Sequence, residues 1–351
     1  MNKTKKIKNF DPDSVGDTNN NIFGLPFSSD EAAIIIIPVP WEVTVSYFAG
    51  TSKGPRAIFD ASYQVDLFDP FIKDFWKVGI SMEPISKTIL ANSNGLRKKA
   101  EKYIKLYEKG ENPESNQVMK EIRKLINQEC KKMNSWVKET SLHFLNKNKI
   151  VALLGGDHST PLGLIQAVAK KHDSFAVLQI DAHADLRKAY EGFEFSHASI
   201  MFNALKIPEI IKLVQVGIRD YCLAEKELET KSKGRIKTFY DRDIKSQQYD
   251  GILWSQICQS IIAELPQKVY LSFDIDGLDP KLCPNTGTPV AGGFECEQVL
   301  YLIQKIVESG RQIIAFDINE VAPGNNEWDA NVAARLLYRI SALAARSNGK
   351  A

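Results

Sequence analysis

Cysteine is scarce in this chain of 351 residues. The five present (Cys130, Cys222, Cys258, Cys283 and Cys296) are odd in number, scattered and free of C-x-x-C spacing. That excludes a disulfide framework and a thiolate zinc site, and it leads to the expectation of a reducing, cytoplasmic setting. Charge of one sign is also lacking: the formal net charge is +2, so no field draws in nucleic acid or an anionic membrane. Long apolar runs are absent, and the strongly apolar stretch around Ile34 to Ile37 is far too short to span a bilayer. The basic start, MNKTKKIKNF, leads into Asp-Pro-Asp instead of an apolar segment, so no signal peptide is expected. Histidine is rare as well, at five residues, and no internal repeat of fixed period occurs.

What is present gathers at the ends of three apolar runs. IVALL leads into Gly155-Gly156-Asp157-His158, FAVLQI into Asp181-Ala182-His183-Ala184-Asp185, and VYLSF into Asp274-Ile275-Asp276. Each run is short, β-branched and nearly continuous, the pattern of a buried parallel strand. In open α/β sheets ligands bind beyond the carboxyl ends of strands, so these residues are expected to share one crevice. Crowding so many carboxylates costs several kcal/mol of repulsion and desolvation unless cations neutralise them.

Around these runs the organisation reads as follows. Residues 1–22 are expected to be an irregular arm, with the rest, 23–351, as one domain. A strand is expected at about Ala33–Val39, stopped by Pro38 and Pro40, then a loop from Trp41 to Gly54. A helix start with proline in its first turn follows at Gly54-Pro55. Residues 92–148 carry apolar positions at helical spacing and many Lys and Glu, which predicts an insertion of at least two amphipathic helices broken at Gly110–Pro113. Its charge is read as a solvated face. From Ile150 onward strands (150–155, 175–181, 212–217, 236–239, 268–274, 311–317) alternate with helical patterns (160–171, 251–264, 296–309). This alternation predicts a mostly parallel sheet covered on both faces.

A lone histidine is usually a surface or satisfied core residue, and that suits His143 and His172. His158 and His183 sit inside strand-end acidic motifs, and His197 follows one closely. Asp181-x-His183-x-Asp185 and Asp274-x-Asp276 have the period-two spacing that puts side chains on one face of a strand. Asp157 and Asp279 read better as turn or supporting residues. Four carboxylates and two imidazoles suffice for two cations, and oxygen-rich, thiolate-free ligation favours Mn²⁺ over zinc, with Ni²⁺ or Fe²⁺ as alternatives. Two ions about 3.5–4 Å apart lower the pKa of a water between them toward neutrality.

The motifs GGDHS (155–159), DAHAD (181–185), SFDIDGLDP (272–280) and DINEVAP (317–323) resemble the ureohydrolase family of arginases and agmatinases. PVPWEVTVSYFAGTSKGPRAI (38–58), QVGIRDY (215–221) and TGTPVAGG (286–293) extend the likeness over nearly the whole chain. The resemblance implies a three-layer α/β/α fold around a central, mainly parallel eight-stranded sheet, a binuclear manganese site and a trimeric or hexameric homo-oligomer. It implies His158 and Asp185 on one metal, His183 and Asp276 on the other, and Asp181 and Asp274 bridging both. It further implies Glu320 against the substrate guanidinium, Asp185 as proton relay to the departing amine, and His197 as the active-site histidine. The reaction implied is hydrolysis of a guanidino group to urea and an amine.

The loop DLRKAYEGFEFSHA (185–198) is similar to that of agmatinases and lacks the polar cluster with which arginases grip an amino acid. A small cationic guanidine without a carboxylate, agmatine above all, is therefore the expected substrate. Free guanidine, guanidinobutyrate, guanidinopropionate and formimidoylglutamate are the alternatives, the last requiring cations such as Arg187 and Lys188. A non-catalytic regulatory paralogue would be expected to have lost ligands, and here all six positions match.

Overall fold

Eight short runs rich in Ile, Val, Leu and Phe pair into one all-parallel sheet in the computed structural model of the protein, which describes residues 2–351. The strands are β1 (Ile34–Val39), β2 (Ile80–Met82), β3 (Ile150–Gly155), β4 (Phe175–Ile180), β5 (Ile210–Ile218), β6 (Ile236–Tyr240), β7 (Lys268–Asp274) and β8 (Gln312–Asn319). Their spatial order is β2-β1-β3-β8-β7-β4-β5-β6. The helices are α1 (Lys3–Asn9), α2 (Gly54–Ala61), α3 (Lys87–Glu108), α4 (Gln117–Leu145), α5 (Leu162–Ala169), α6 (Ile200–Ala204), α7 (Leu223–Lys231), α8 (Asp241–Tyr249), α9 (Trp254–Ala263), α10 (Cys296–Glu308) and α11 (Trp328–Ser347). On one face α4 packs on β1, β3 and α5, with α3 beside it; on the other, α11 packs on β8, α2 and α10. The strand interiors are buried on both sides, as the continuous apolar runs require. The expected α/β/α architecture is therefore present, and every pair of neighbouring strands is parallel.

The N-terminal arm corrects one expectation, because it is not irregular throughout. Residues 3–9 form α1, capped by the Asn2 side chain and held by Lys3 Nζ on the Val78 carbonyl (2.7 Å) and by Lys6 on Glu31 (2.6 Å). Further along the arm, the Asn21 amide accepts the Met82 N–H (2.8 Å) and donates to the Met82 carbonyl (3.2 Å). It thereby covers the free edge of β2, which would otherwise present open backbone groups.

Pro38 was expected to stop the first strand, yet it lies inside β1. The Ile34 N–H donates to Gly79, and the Ile36 carbonyl accepts from Glu83, so even-numbered residues of β1 turn their backbone groups toward β2. That strand has ended at Met82, opposite Ile36, so nothing there calls for an N–H from Pro38. The 92–148 region forms two long helices as expected, α3 and α4, with the break at 109–116. No helix among the described residues is long and apolar enough to cross a membrane.

Candidate metal centre and cleft

The four strands β3, β8, β7 and β4 are neighbours in the sheet, and their carboxyl ends carry GGDH, DINE, DID and DAHAD. Two clusters form there: His158 with Asp181 and Asp185, and His183 with Asp181 and Asp276. Asp181 belongs to both. Nδ1 of His158 lies 3.0 Å from Asp181 Oδ2, 3.0 Å from Asp185 Oδ2 and 3.2 Å from Asp274 Oδ2. Nδ1 of His183 lies 3.0 Å from Asp276 Oδ2 and 3.7 Å from Asp181 Oδ1. All six expected ligands thus converge, although Asp274 approaches through His158 and stands in neither tight cluster.

Backbone contacts aim these side chains. Asp181 Oδ1 accepts the His183 N–H, Asp276 Oδ1 accepts the Ala182 N–H, and Asp274 Oδ1 accepts the Asp276 N–H. Asp181 and Asp274 each use Oδ1 to fold their own loop, and Asp276 Oδ1 ties its loop to that of Ala182, while the three Oδ2 atoms lie against the histidines. Asp185 (φ 54°) and Glu320 (φ 62°) both adopt the left-handed backbone region, a strain that surrounding structure must hold in place. Asp157 and Asp279 take turn roles as expected, accepting from the N–H groups of Ser159 and Lys281.

Beneath the ligands runs a buried polar row that the sequence reading missed. Thr238, Gln215, Gln179, Ser272 and Asp317 stand in register across β6, β5, β4, β7 and β8. Thr238 Oγ1 bonds to Gln215 Oε1 (2.9 Å), Gln215 Nε2 to Gln179 Oε1 (2.6 Å), and Gln179 Nε2 to Asp181 Oδ2 (2.8 Å). Ser272 Oγ donates to Asp317 Oδ1 (3.0 Å) and lies 2.9 Å from His158 Nε2. Because the Ser272 proton is given to Asp317, the hydroxyl accepts from Nε2–H of His158. Nδ1 is then the ring nitrogen that faces the carboxylates. The available signal was a single polar residue inside each apolar run, as in FAVLQI and YLSF.

The electrostatics show what such a cluster demands. Burial opposes charge on His158, but the adjoining Asp181, Asp185 and Asp274 outweigh it and raise its pKa well above the usual value. His183 is likewise raised, to about 12, where Asp276 and Asp181 overcome burial. Burial, then Asp276 and Asp181, push Asp274 well above the carboxylate range; burial and Asp181 bring Asp185 to about 7. Burial works against ionised Asp181, yet His158 and His183 hold it low. Without a cation the cluster must hold protons to persist. His158 Nδ1 and Asp276 Oδ2 are buried and make no hydrogen bond of acceptable geometry among the described residues. Two unpaired buried ligand atoms and a donor set of imidazole nitrogen and carboxylate oxygen fit a pair of divalent cations.

A cleft of about 130 Å³ opens beside the clusters, with His183 and Asp185 in its walls together with Ser46, Arg187, Tyr190, His197, Asp220 and Tyr221. Larger hollows of about 930 and 510 Å³ lie elsewhere and include none of the six ligands. His197 lines this cleft. Burial, reinforced by His183 and His158, lowers its pKa to about 3, so it is neutral at physiological pH. Glu320 is not in the cleft wall. Its Oε1 accepts the His158 N–H (2.8 Å), while Oε2 lies beside Gly287, where an added Cβ would come within 3.1 Å. Burial and then Asp157 raise its pKa well above the usual range. Arg187 stacks over Tyr190 (5.1 Å) with its Nε 4.0 Å from Glu225, and Lys188 is exposed.

A profile of the Arginase family matches residues 32–342. The chain is 29% identical over 319 residues to the N(1)-aminopropylagmatine ureohydrolase of Thermus thermophilus, covering 90% of this chain and 91% of that protein. It is 31% identical over 321 residues to the protein of the same name from Thermococcus kodakarensis, covering 90% and 92%. The crystal structure of an agmatine ureohydrolase of Thermoplasma volcanium superposes with a TM-score of 0.69 at 20% identity, covering 99% of each chain, a likeness of fold.

Proposed function

The chain belongs to the arginase family, and from that premise we propose that it is a metal-dependent amidinohydrolase releasing urea from a guanidino group carried on an alkyl amine. The observation that carries the reading is Nδ1 of His158 within 3.2 Å of three carboxylate oxygens, beside a second cluster that shares Asp181. His158, Asp181, His183, Asp185, Asp274 and Asp276 would hold two divalent cations, Mn²⁺ being favoured by the oxygen-rich set. Bound there, the pair lowers the pKa of water toward neutrality and so supplies a nucleophile at physiological pH.

The protein's own groups do the rest. Glu320 is anchored through Oε1, and Oε2 would accept from a guanidinium N–H that enters beyond the cleft wall, a charge-assisted pair that orients the planar cation. As the C–O bond forms and the C–N bond breaks, Asp185 in the cleft wall relays a proton to the departing amine. Neutral His197, in the same wall, would help to position the substrate through a hydrogen bond. We propose further that the chain assembles as a homo-oligomer, trimer or hexamer, which sedimentation would test.

For the substrate tail, support comes from the 185–198 loop, from relatives named for N(1)-aminopropylagmatine, and from a cleft wall bearing Asp220, Tyr190 and Tyr221. We therefore favour agmatine or its aminopropyl derivative. A guanidino acid is the second reading, because Arg187 reaches the same wall. Its charge, however, is already partnered by Tyr190 and Glu225. The test is a urea-release screen with Mn²⁺ and Ni²⁺ over agmatine, N(1)-aminopropylagmatine, arginine, guanidine, guanidinobutyrate and guanidinopropionate. An α-carboxylate buried beside acidic side chains costs several kcal/mol, so kcat/KM for agmatine should exceed that for arginine by roughly a hundredfold or more. Equal or better turnover of arginine overturns the tail assignment, and urea from no guanidine overturns the function.

A further inference from the structure

The α3–α4 hairpin touches two of the loops that line the cleft. From α3, the buried Ser93 hydroxyl accepts the Glu42 N–H (3.1 Å), and Arg97 donates to the carbonyls of Val43 and Val45. The next residue, Ser46, is in the cleft wall. Glu42 closes that loop on itself by accepting from the N–H groups of Gly50 (2.6 Å) and Ser52 (3.1 Å). From α4, Asn127 grips the opposite loop with both ends of its amide. Nδ2 donates to the Gly192 carbonyl (3.3 Å) and Oδ1 accepts the Glu194 N–H (2.9 Å).

Tyr103 of α3 packs against Phe193 at 5.0 Å. The chain between Tyr190 and Phe193 needs this support, because Glu191 (φ 51°) and Gly192 (φ 83°) are both left-handed. An added Cβ on Gly192 would meet Arg123 at 2.8 Å and Tyr103 at 2.9 Å, so α3 and α4 lie directly against this turn. Tyr190 and His197, on either side of the gripped segment, line the cleft. Among the described residues no side-chain hydrogen bond or ion pair runs from the hairpin to any of the six metal-type ligands.

We propose that the hairpin is a brace that sets the gap between the 41–52 and 187–197 loops, and so fits the outer cleft to the amine tail of the substrate. Asn127 and Arg97 are its positioning residues. The proposal rests on the amidinohydrolase reading for its substrate, but not for its mechanics. Because the contacts of Asn127 and Arg97 are polar and made to backbone, they fix loop position while leaving the strand-end chemistry alone.

The test uses the full chain loaded with Mn²⁺ and the variants Asn127→Ala and Asn127→Asp. Asn127 is only half-buried, so its loss is compatible with folding. In Asn127→Ala, amide hydrogen exchange across 187–197 should quicken by about tenfold or more while β3 and β4 stay protected. KM for agmatine should rise by about tenfold, while the inhibition constant of free guanidine, which has no tail, should stay within about twofold. Asn127→Asp keeps the acceptor for Glu194 and should fall between. Arg97→Lys keeps the charge but loses the planar fork, and should loosen 43–47 instead.

Unchanged exchange at 187–197 overturns the brace. Equal loss for agmatine and free guanidine overturns its role in tail selection and leaves a general structural one. If the wild-type protein releases urea from no guanidine, the functional reading fails, and hydrogen exchange alone still decides the brace.

Discussion

Replacing Ser272 by alanine should weaken one cation without touching any ligand. The hydroxyl stands between His158 Nε2 (2.9 Å) and Asp317 Oδ1 (3.0 Å) in a site closed to water. Asp317 retains the Asn319 amide and the Phe273 N–H, so its share of the loss is small. His158 has no such reserve, since Asp317 is 4.0 Å from Nε2. An unsatisfied buried N–H costs about 1–3 kcal/mol. The cost falls on the tautomer that bares Nδ1, so it appears in cation affinity as roughly a five- to hundredfold loss. Titration with Mn²⁺ against a competing chelator should show one weakened and one near-normal site, with kcat largely recovered at saturating Mn²⁺. Unchanged affinity at both sites would refute the reasoning.

Other perturbations separate the remaining roles. Asp276→Asn and His183→Ala should each remove one cation and lower kcat by orders of magnitude, since two ions are needed to acidify water; two ions per chain with only KM altered would contradict this. Glu320→Gln should lower kcat/KM by about tenfold, because a charge-assisted bond becomes a neutral one. Its amide oxygen still accepts from His158, so cation content should hold, and a loss of cation would reassign the residue. At the N-terminus, Lys6 and then Ser28 depress Glu31 from 4.5 to about 2. Because the folded pKa is lowered, this anchor acts in full above pH 4.5 and fades as pH falls toward 2. Lys6→Ala should therefore lower Tm at pH 6 and make little difference near pH 2; a pH-independent difference would exclude the ion pair as its cause.

The strands that carry the ligands were legible because each is a continuous apolar run closed by a motif, and motif and strand end coincide. What escaped is what only tertiary contact creates. Strand β2 is three residues long, too short for periodicity, and exists because Ile34–Ile36 pair with it while Asn21 covers its edge. Helix α1 buries no residue of its own and is held from outside by Val78 and Glu31. Pro38 reads as a terminator until the direction of its missing N–H is known. The hairpin's charge was rightly read as a solvated face on one side, but the inward grip of Arg97 and Asn127 depends on loops far away in sequence. The convergence of His158, His183 and the four aspartates was readable from strand ends alone; the burial of Glu320 against the His158 N–H was not.

The buried row of Thr238, Gln215 and Gln179 has a direction. The carbonyls of His183 and Ala184 can only accept, and each takes a bond from a glutamine NH₂ group. That fixes both amides, so their oxygens must point back toward the edge strand, and the Thr238 hydroxyl must give its proton inward. Every link is thereby polarised the same way, and the last delivers a donor to Asp181. The sheet interior thus behaves like a sentence with fixed word order: one reversed amide would set oxygen against oxygen along the line. It follows that glutamate is the wrong substitute for Gln179 or Gln215 despite its shape. A carboxylate there would break the polarity at a strand centre and disturb Asp181, which Gln179 touches directly and Gln215 reaches only through Gln179.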